Sequence, residues 1–138
     1  MELATVIEEF KKLSLQQMLC APKFLEFGRK DTAYKMKKQL PRLHLKDGVS
    51  LSVQASENHY ARPRADAGPY TAVEVGFVQE CAPPDAWAEW RDSPEGHIWA
   101  YIPIFLVEFF LAAHGGIDHI KTFQEVTTGQ RESWFSPS

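Results

Sequence analysis

The chain has 138 residues, of which 44% are apolar and 24% are charged, and a formal net charge of −3. This length and composition fit one globular domain with its own core, and the acidic net charge disfavours a dedicated nucleic-acid-binding protein. No apolar run reaches the roughly 18 residues that a membrane-spanning helix needs. Because the chain has two cysteines and no secretory signal at its start, we expect no disulfide framework and a cytoplasmic location.

The charges are distributed unevenly along the chain. Residues 11–46 contain ten Lys/Arg and two Asp/Glu, whereas residues 74–138 contain ten Asp/Glu and three Lys/Arg. Segments of opposite sign can pair within one chain or between copies of it. The favoured interpretation is separate solvated surfaces of differing sign, since exposed ion pairs contribute little stability.

The N-terminal part of the chain has a helical pattern. Residues 3–12 carry apolar side chains at helical spacing, with acidic residues before basic ones, which predicts a helix. A second short helix is predicted to start at Ser14. We interpret residues 1–48 as a helical, lysine-rich extension.

The pattern then changes to the period of a β-strand. Residues 49–56 alternate between apolar and small polar side chains, which predicts a strand with one solvated face. Residues 71–77 alternate in the same way and predict a second strand. The connection between the two strands, about fourteen residues long, exceeds the usual loop length and is therefore a candidate functional segment.

Two more elements complete the predicted core, which spans residues 49–120. A short helix is predicted over residues 86–91, and a third strand over residues 97–102 with His97, Trp99 and Tyr101 on one face. We interpret residues 121–138 as a loosely held tail.

Residues 103–114 predict a helix that begins at a proline and ends before two glycines. It is apolar nearly all round, with Glu108 as its single charge, and such a helix is buried in a core or against a partner. Because a domain of this size has little room to enclose a helix, we expect a contact between copies of the chain. The predicted fold class is α+β: a small antiparallel β-sheet with an N-terminal helix and this apolar helix.

Catalytic and metal-binding motifs are weak. The segment HGGIDH (residues 114–119) holds two histidines across a Gly-Gly break, which fixes no shared face for a metal. Neither Cys20 nor Cys81 has a sequence context that activates a thiol. Glu74 is a general base only in principle, so we predict no enzyme activity, no metal and no cofactor.

The long connection between the first two predicted strands is better suited to binding a ligand than to catalysis. Arg62 and Arg64 flank Pro63, and in an extended segment their guanidinium groups point the same way and suit a phosphate. Nearby aromatic side chains would stack on a base. The predicted ligand-binding residues are Tyr60, Arg62, Arg64, Tyr70, Trp87, Trp90 and Trp99. Alternatively, the arginines pair with the acidic segment 80–95, and Trp99 and Tyr101 belong to the core.

The central part of the sequence resembles a known group of proteins. The run LSVQASENHYARPRADAGPYTAVEVGF, followed by IWAYIP and a helix ending in HGGI, resembles small proteins encoded by phages and prophages. These share an alternating strand, "QAS" near His-Tyr and Pro-Arg, "YTxVEVGF", "YxYVP" and "HGGI". The resemblance covers residues 49–117 and leaves out the first 48.

Within that group the chain is similar to the sponge-type Thoeris anti-defence family. Those proteins sequester the cyclic ADP-ribose signal of a bacterial immune system without cleaving it, and they assemble into oligomers with ligand pockets of arginines and aromatics at subunit interfaces. The resemblance implies that Arg62 and Arg64 contact phosphate and that an aromatic among Trp87 and Trp90 stacks on the base. It also implies a homo-oligomer. From the acidic net charge we expect no nucleic-acid polymer as a partner.

Two other functions remain open from the sequence. In the first, a phage-type inhibitor binds a host defence protein directly, such as a CRISPR effector, and its acidic C-terminal half occupies a basic groove. In the second, the chain is a hydrolase or transferase that acts on a nucleotide. The three functions differ in whether the partner is a small molecule or a protein, and in whether a ligand is returned unchanged.

Overall fold

The computed structural model describes residues 13–20, 40–65 and 67–122. The helix predicted over residues 3–12 and most of the predicted tail lie outside the described residues. The elements in chain order are helix α1 (Leu15–Cys20), strands β1 (Leu43–His44), β2 (Ser50–Gln54) and β3 (Ala72–Gln79), a 3₁₀ helix (Asp85–Trp90), strand β4 (Ile98–Pro103) and helix α2 (Ile104–Ala113).

The four strands form one antiparallel sheet in the order β1-β2-β3-β4. Each strand pairs with the next along the chain, which confirms the predicted α+β class with a small antiparallel sheet. Val75 of β3 lies opposite Val53 of β2, and Val73 lies opposite Ile102 of β4, so the centre of the sheet is apolar. Among the described residues, no helix is long and apolar enough to span a bilayer.

Strand β2 is buried on both faces, so the solvated face predicted for it is wrong. Its polar side chains are covered by the segment that leads into β1, where Leu40 and Arg42 are themselves buried. The Gln54 side chain accepts a hydrogen bond from the Leu40 N–H (2.8 Å) and donates one to the Leu40 carbonyl (2.9 Å). These hydrogen bonds take the place of hydrogen bonds to water, so the polar Gln54 side chain can be buried.

Helix α1 packs into the same core as the sheet. Its first turn is a capping box: the Gln17 N–H donates to Ser14 Oγ (3.2 Å), and the Ser14 N–H donates to Gln17 Oε1 (2.9 Å). Leu15, Met18 and Leu19 are buried in the core cluster. The described part of the predicted extension is therefore part of the domain core, and the predicted boundary at residue 48 falls in the turn between β1 and β2.

A β-bulge interrupts β4, and it overturns the alternation predicted there. Val73 pairs with Ile102 but Val75 pairs with Trp99, so Ala100 and Tyr101 together oppose Glu74. Tyr101 has a left-handed backbone (φ 56°), which is unusual for an aromatic residue. As a result Trp99 and Ile102 both enter the core, whereas Tyr101 is only half-buried and no longer shares a face with Trp99.

Helix α2 is buried on one side only. Ile104, Val107, Phe110 and Leu111 contact the core, whereas Phe105 and Phe109 keep 57% and 72% of their surface exposed. Within residues 13–20, 40–65 and 67–122, therefore, no segment covers the outer side of this helix. The face that carries Phe105 and Phe109 is called here the aromatic face of α2.

Both edges of the sheet are covered by other segments. Along β1, the Asp118 N–H donates to the His44 carbonyl (2.7 Å), and the His44 N–H donates to Thr122 Oγ1 (2.9 Å). Along β4, the Asp92 N–H donates to the Ile98 carbonyl (2.9 Å). Further along β4, the Tyr101 N–H donates to the Tyr60 carbonyl of the long loop (3.1 Å).

Candidate functional site

The loop between β2 and β3 is fixed at both ends. At its start, the buried side chains of Ser56 and His59 are hydrogen-bonded (Oγ to Nδ1, 2.6 Å). At its end, Gln16 of α1 accepts from the Tyr70 N–H (2.8 Å) and donates to the Tyr70 carbonyl (2.7 Å). Ser56 is completely buried, so this Ser–His pair is not accessible to a substrate and instead supports the loop.

The middle of the loop is attached to the sheet. The Arg62 N–H donates to the Ala72 carbonyl (3.0 Å), and the Thr71 N–H donates to the Arg62 carbonyl (2.8 Å). The Tyr101 N–H, turned outward by the bulge in β4, donates to the Tyr60 carbonyl (3.1 Å). The bulge therefore joins Tyr101 to the loop.

These attachments bring two arginines and two tyrosines together at the surface. The rings of Tyr60 and Tyr101 lie 5.7 Å apart between centroids, at an angle of 46°. The Arg62 guanidinium carbon lies 4.8 Å from the centre of the Tyr101 ring, and that of Arg64 lies 5.4 Å from the centre of the Tyr60 ring. We call Tyr60, Arg62, Arg64 and Tyr101 the arginine–tyrosine cluster.

The guanidinium groups of this cluster are held by aromatic rings rather than by carboxylates. Among the described residues, neither Arg62 nor Arg64 has a carboxylate within ion-pair distance, and the acidic segment 80–95 does not neutralise them. Arg64 Nε donates to the Glu57 carbonyl (3.2 Å), and both side chains are otherwise exposed. Cation–π contacts orient the planar groups and leave N–H donors at their edges for an anion.

A carboxylate lies beside the cluster. Glu74 of β3 is half-buried opposite the bulge, and its Oε1 accepts a long hydrogen bond from the Tyr60 N–H (3.3 Å). Burial raises the pKa of Glu74, since it outweighs the lowering by that hydrogen bond and by the positive charge of Arg64, and the nearby Asp92 raises it further. The site thus combines two cations with one carboxylate whose hydrogen bond from the Tyr60 N–H is long.

The structure separates the predicted site residues into two groups. Tyr60, Arg62 and Arg64 lie together at the surface. Tyr70, Trp87 and Trp99 are buried with 1–2% of their surface exposed, and Trp90 is half-buried against the core. Trp87 contacts Trp99 edge-on (5.8 Å, 70°) and Phe110 (4.9 Å), so these rings build the core between the 3₁₀ helix, β4 and α2.

Two residues of the site are not among the predicted ligand-binding residues. Strict alternation places Tyr101 and Trp99 on one face, and no signal in the sequence marks the bulge that separates them. From the sequence, Glu74 is only a general base in principle. Its position opposite two consecutive residues of β4 follows from the bulge as well.

A separate apolar cleft of about 440 Å³ lies between the 3₁₀ segment and α2. Its walls include Cys81, Trp87, Leu106 and Phe109. Burial raises the pKa of the Cys81 thiol, and the nearby Asp47 raises it further, so this thiol stays protonated and is a poor nucleophile at neutral pH.

The histidines of the HGGIDH segment take part in structural contacts. His114 Nδ1 lies 2.5 Å from Asp47 Oδ2, and His119 Nε2 lies 3.0 Å from the Leu13 carbonyl. In the ranges that the structure describes, no three His, Cys, Asp or Glu side chains are grouped as metal ligands. Comparisons with family models, with curated proteins and with solved structures found no match to this chain.

Proposed function

We propose that this protein binds a small cyclic nucleotide at the arginine–tyrosine cluster and sequesters it without cleaving it. The observation that carries this proposal is the pair of exposed guanidinium groups, each lying over a tyrosine ring and neither paired with a carboxylate in the described part of the chain. Exposed arginines normally form ion pairs or move freely. Here each guanidinium lies over a tyrosine ring on a loop that is anchored to the sheet, an arrangement that favours a fixed orientation before a ligand binds.

A nucleotide supplies both chemistries that the cluster can recognise. Its phosphates match the planar donor edges of Arg62 and Arg64. Its base can stack on the exposed Tyr60 ring, which keeps 40% of its surface accessible. The resemblance to the Thoeris anti-defence family supports a cyclic ADP-ribose isomer as the ligand and the bacterial cytoplasm as the place of action.

We further propose that the protein acts as a homo-oligomer through α2. Phe105 and Phe109 expose apolar area that a monomer leaves in water. Both sheet edges are covered by other segments of the same chain, which favours the aromatic face of α2 over strand pairing as the contact. The resemblance to the Thoeris anti-defence family, whose ligand pockets lie at subunit interfaces, supports an oligomer as well.

Calorimetric titration with cyclic ADP-ribose isomers and with cyclic oligonucleotides tests the binding proposal. We expect one of these probes to bind the wild-type protein, and Arg62→Gln or Arg64→Gln to weaken binding about tenfold or more, since each removes charge-assisted hydrogen bonds. Lys121→Gln is the matched control, because Lys121 is an exposed cation outside the cluster. No heat for any probe at concentrations that saturate a micromolar site contradicts the proposal.

Recovery of the bound ligand separates sequestration from catalysis. After prolonged incubation and denaturation of the protein, we expect the probe to be released chemically unchanged. A cleaved or transferred product would instead indicate a hydrolase or transferase.

A direct protein inhibitor is the second candidate function. The aromatic face of α2 and the neighbouring apolar cleft favour it, because both are suited to a protein surface. A stoichiometric host protein captured from lysate, lost on substitution of Phe105 and Phe109 and retained by Arg62→Gln, would support this function over nucleotide binding.

A further inference from the structure

Glu74 is an unusual neighbour for an anion-binding pair of arginines. Its carboxylate lies on the central strand β3, below the loop that carries Tyr60 and Arg64. Among the described residues its one hydrogen bond is the 3.3 Å contact from the Tyr60 N–H, and no arginine approaches within ion-pair distance. A half-buried carboxylate with a single long hydrogen bond retains unused acceptor capacity.

The other groups around Glu74 do not use that capacity. On the loop side the charged neighbour is Arg64, whose Nε donates to the Glu57 carbonyl and whose guanidinium lies over Tyr60. Asp92, beyond the 3₁₀ helix, is a second carboxylate that acts on Glu74 through space. The register partners are Gln54 on β2, which is neutral and bonded to Leu40, and the bulge residues Ala100 and Tyr101 on β4.

We propose that Glu74 selects the ligand of this site, by accepting a hydrogen bond from a hydroxyl or amino group that the ligand carries beside its anionic group. This inference rests on the proposed function. An anion without such a donor meets the negative charge of Glu74 and is disfavoured, whereas a donor satisfies a carboxylate that the fold leaves under-bonded. The ligand class is thus a phosphate ester with neighbouring hydrogen-bond donors, such as a nucleotide, and not a bare oxyanion.

Two probes differ in whether they carry a hydrogen-bond donor beside their anionic group. Adenosine 5′-monophosphate carries ribose hydroxyls and an amino group beside its phosphate. Phenyl sulfate offers an aromatic ring and an anion but no donor. Affinities of both probes are measured for the wild-type protein, for Glu74→Gln, which keeps the size and the acceptor for the Tyr60 N–H, and for Arg62→Gln.

We expect the wild-type protein to prefer adenosine monophosphate, and Glu74→Gln to reduce the ratio of the two affinities about tenfold, by weakening the nucleotide and strengthening phenyl sulfate. An unchanged ratio in Glu74→Gln, with both probes weakened by Arg62→Gln, overturns the role of Glu74 and leaves the anion site intact. Failure of both probes to bind the wild-type protein, or equal binding by Arg62→Gln, overturns this inference, whereas the proposed function is decided separately by the titration with cyclic nucleotides.

A second measurement on the wild-type protein does not depend on the folding of a variant. Phenyl sulfate keeps its charge in mild acid, so its binding reports the protein's titration. Binding should strengthen as the pH falls and Glu74 becomes neutral, in Asp92→Asn as well as in the wild type. A flat profile, or one that Asp92→Asn abolishes, contradicts the assignment to Glu74.

Discussion

Arg42 is a buried cation whose role is to complete a backbone irregularity. Only 2% of its surface is exposed, and it donates from Nε to Ser50 Oγ (3.0 Å) and from Nη2 to the carbonyls of Ser50 (3.2 Å) and Phe77. Phe77 has a left-handed backbone (φ 53°) at the bulge where β3 pairs with β2. The guanidinium therefore satisfies a carbonyl that the regular ladder does not reach.

Replacement of Arg42 by alanine should destabilise the protein strongly. The change removes the donor to the buried Ser50 carbonyl and to the partly buried Phe77 carbonyl and opens a cavity, so we expect the free energy of unfolding to fall by about 3 kcal/mol. Urea denaturation of the wild type and of the variant measures this loss of unfolding free energy. Arg91→Ala is the matched control, because Arg91 is exposed, donates from Nε to the Gly96 carbonyl (2.8 Å) and lies 5.6 Å from the centre of the Trp99 ring. This change should alter the free energy of unfolding by less than about 1 kcal/mol. Equal losses in the two variants would show that the Arg42 contacts are not stabilising.

At the scale of elements, periodicity predicts the regular parts of this fold and misses the irregular ones. Alternation located β2 and β3, and Pro103 with the Gly115–Gly116 pair located α2, because these signals are local. The bulges at Phe77 and Tyr101 depend on how neighbouring strands pair, which no local pattern records. The two arginines of the site can be predicted, because they lie around Pro63 in the local sequence. Tyr101 cannot, because its place in the site depends on the bulge.

One side-chain hydrogen bond joins two elements that are distant in the sequence. His114, at the C-terminal end of α2, contacts Asp47 in the turn between β1 and β2 (2.5 Å). The hydrogen bond from His114 is the main reason that the pKa of Asp47 is lowered below its ordinary value of 3.8, and the backbone N–H of Val49 lowers it further.

The lowered pKa of Asp47 predicts a component of stability that acid removes. Because the folded-state pKa of Asp47 is depressed, its contribution is complete above the unfolded-state pKa and is lost as the pH falls through the folded-state value. The wild type should therefore be more stable than Asp47→Asn at about pH 5.5, and this difference should shrink below about pH 3.8. Urea denaturation of both proteins across this range measures it, and curves that stay parallel would contradict the assignment.

At the scale of the whole molecule, the two distinctive surfaces lie on different elements. The arginine–tyrosine cluster is built from the β2–β3 loop and the bulge of β4, while the aromatic face belongs to α2. Strand β4, which carries Tyr101, runs directly into α2 at Pro103. The Ile104 N–H donates to the Thr71 carbonyl (2.9 Å), so the start of α2 is also fixed to the end of the loop. Association through α2 would therefore place two clusters in a defined geometry.

Self-association through α2 is tested by light scattering on the complete chain. We expect the wild type to be larger than a monomer, and the double change Phe105→Ser and Phe109→Ser to give a monomer that keeps its fold, because both side chains are exposed in the single chain and contribute little to its core. Ile120→Ser is the matched control, since Ile120 is also exposed (54%) but lies outside α2, and it should leave the oligomer intact. A wild-type monomer at all concentrations would remove the oligomer proposal, and dissociation by Ile120→Ser would place the contact elsewhere.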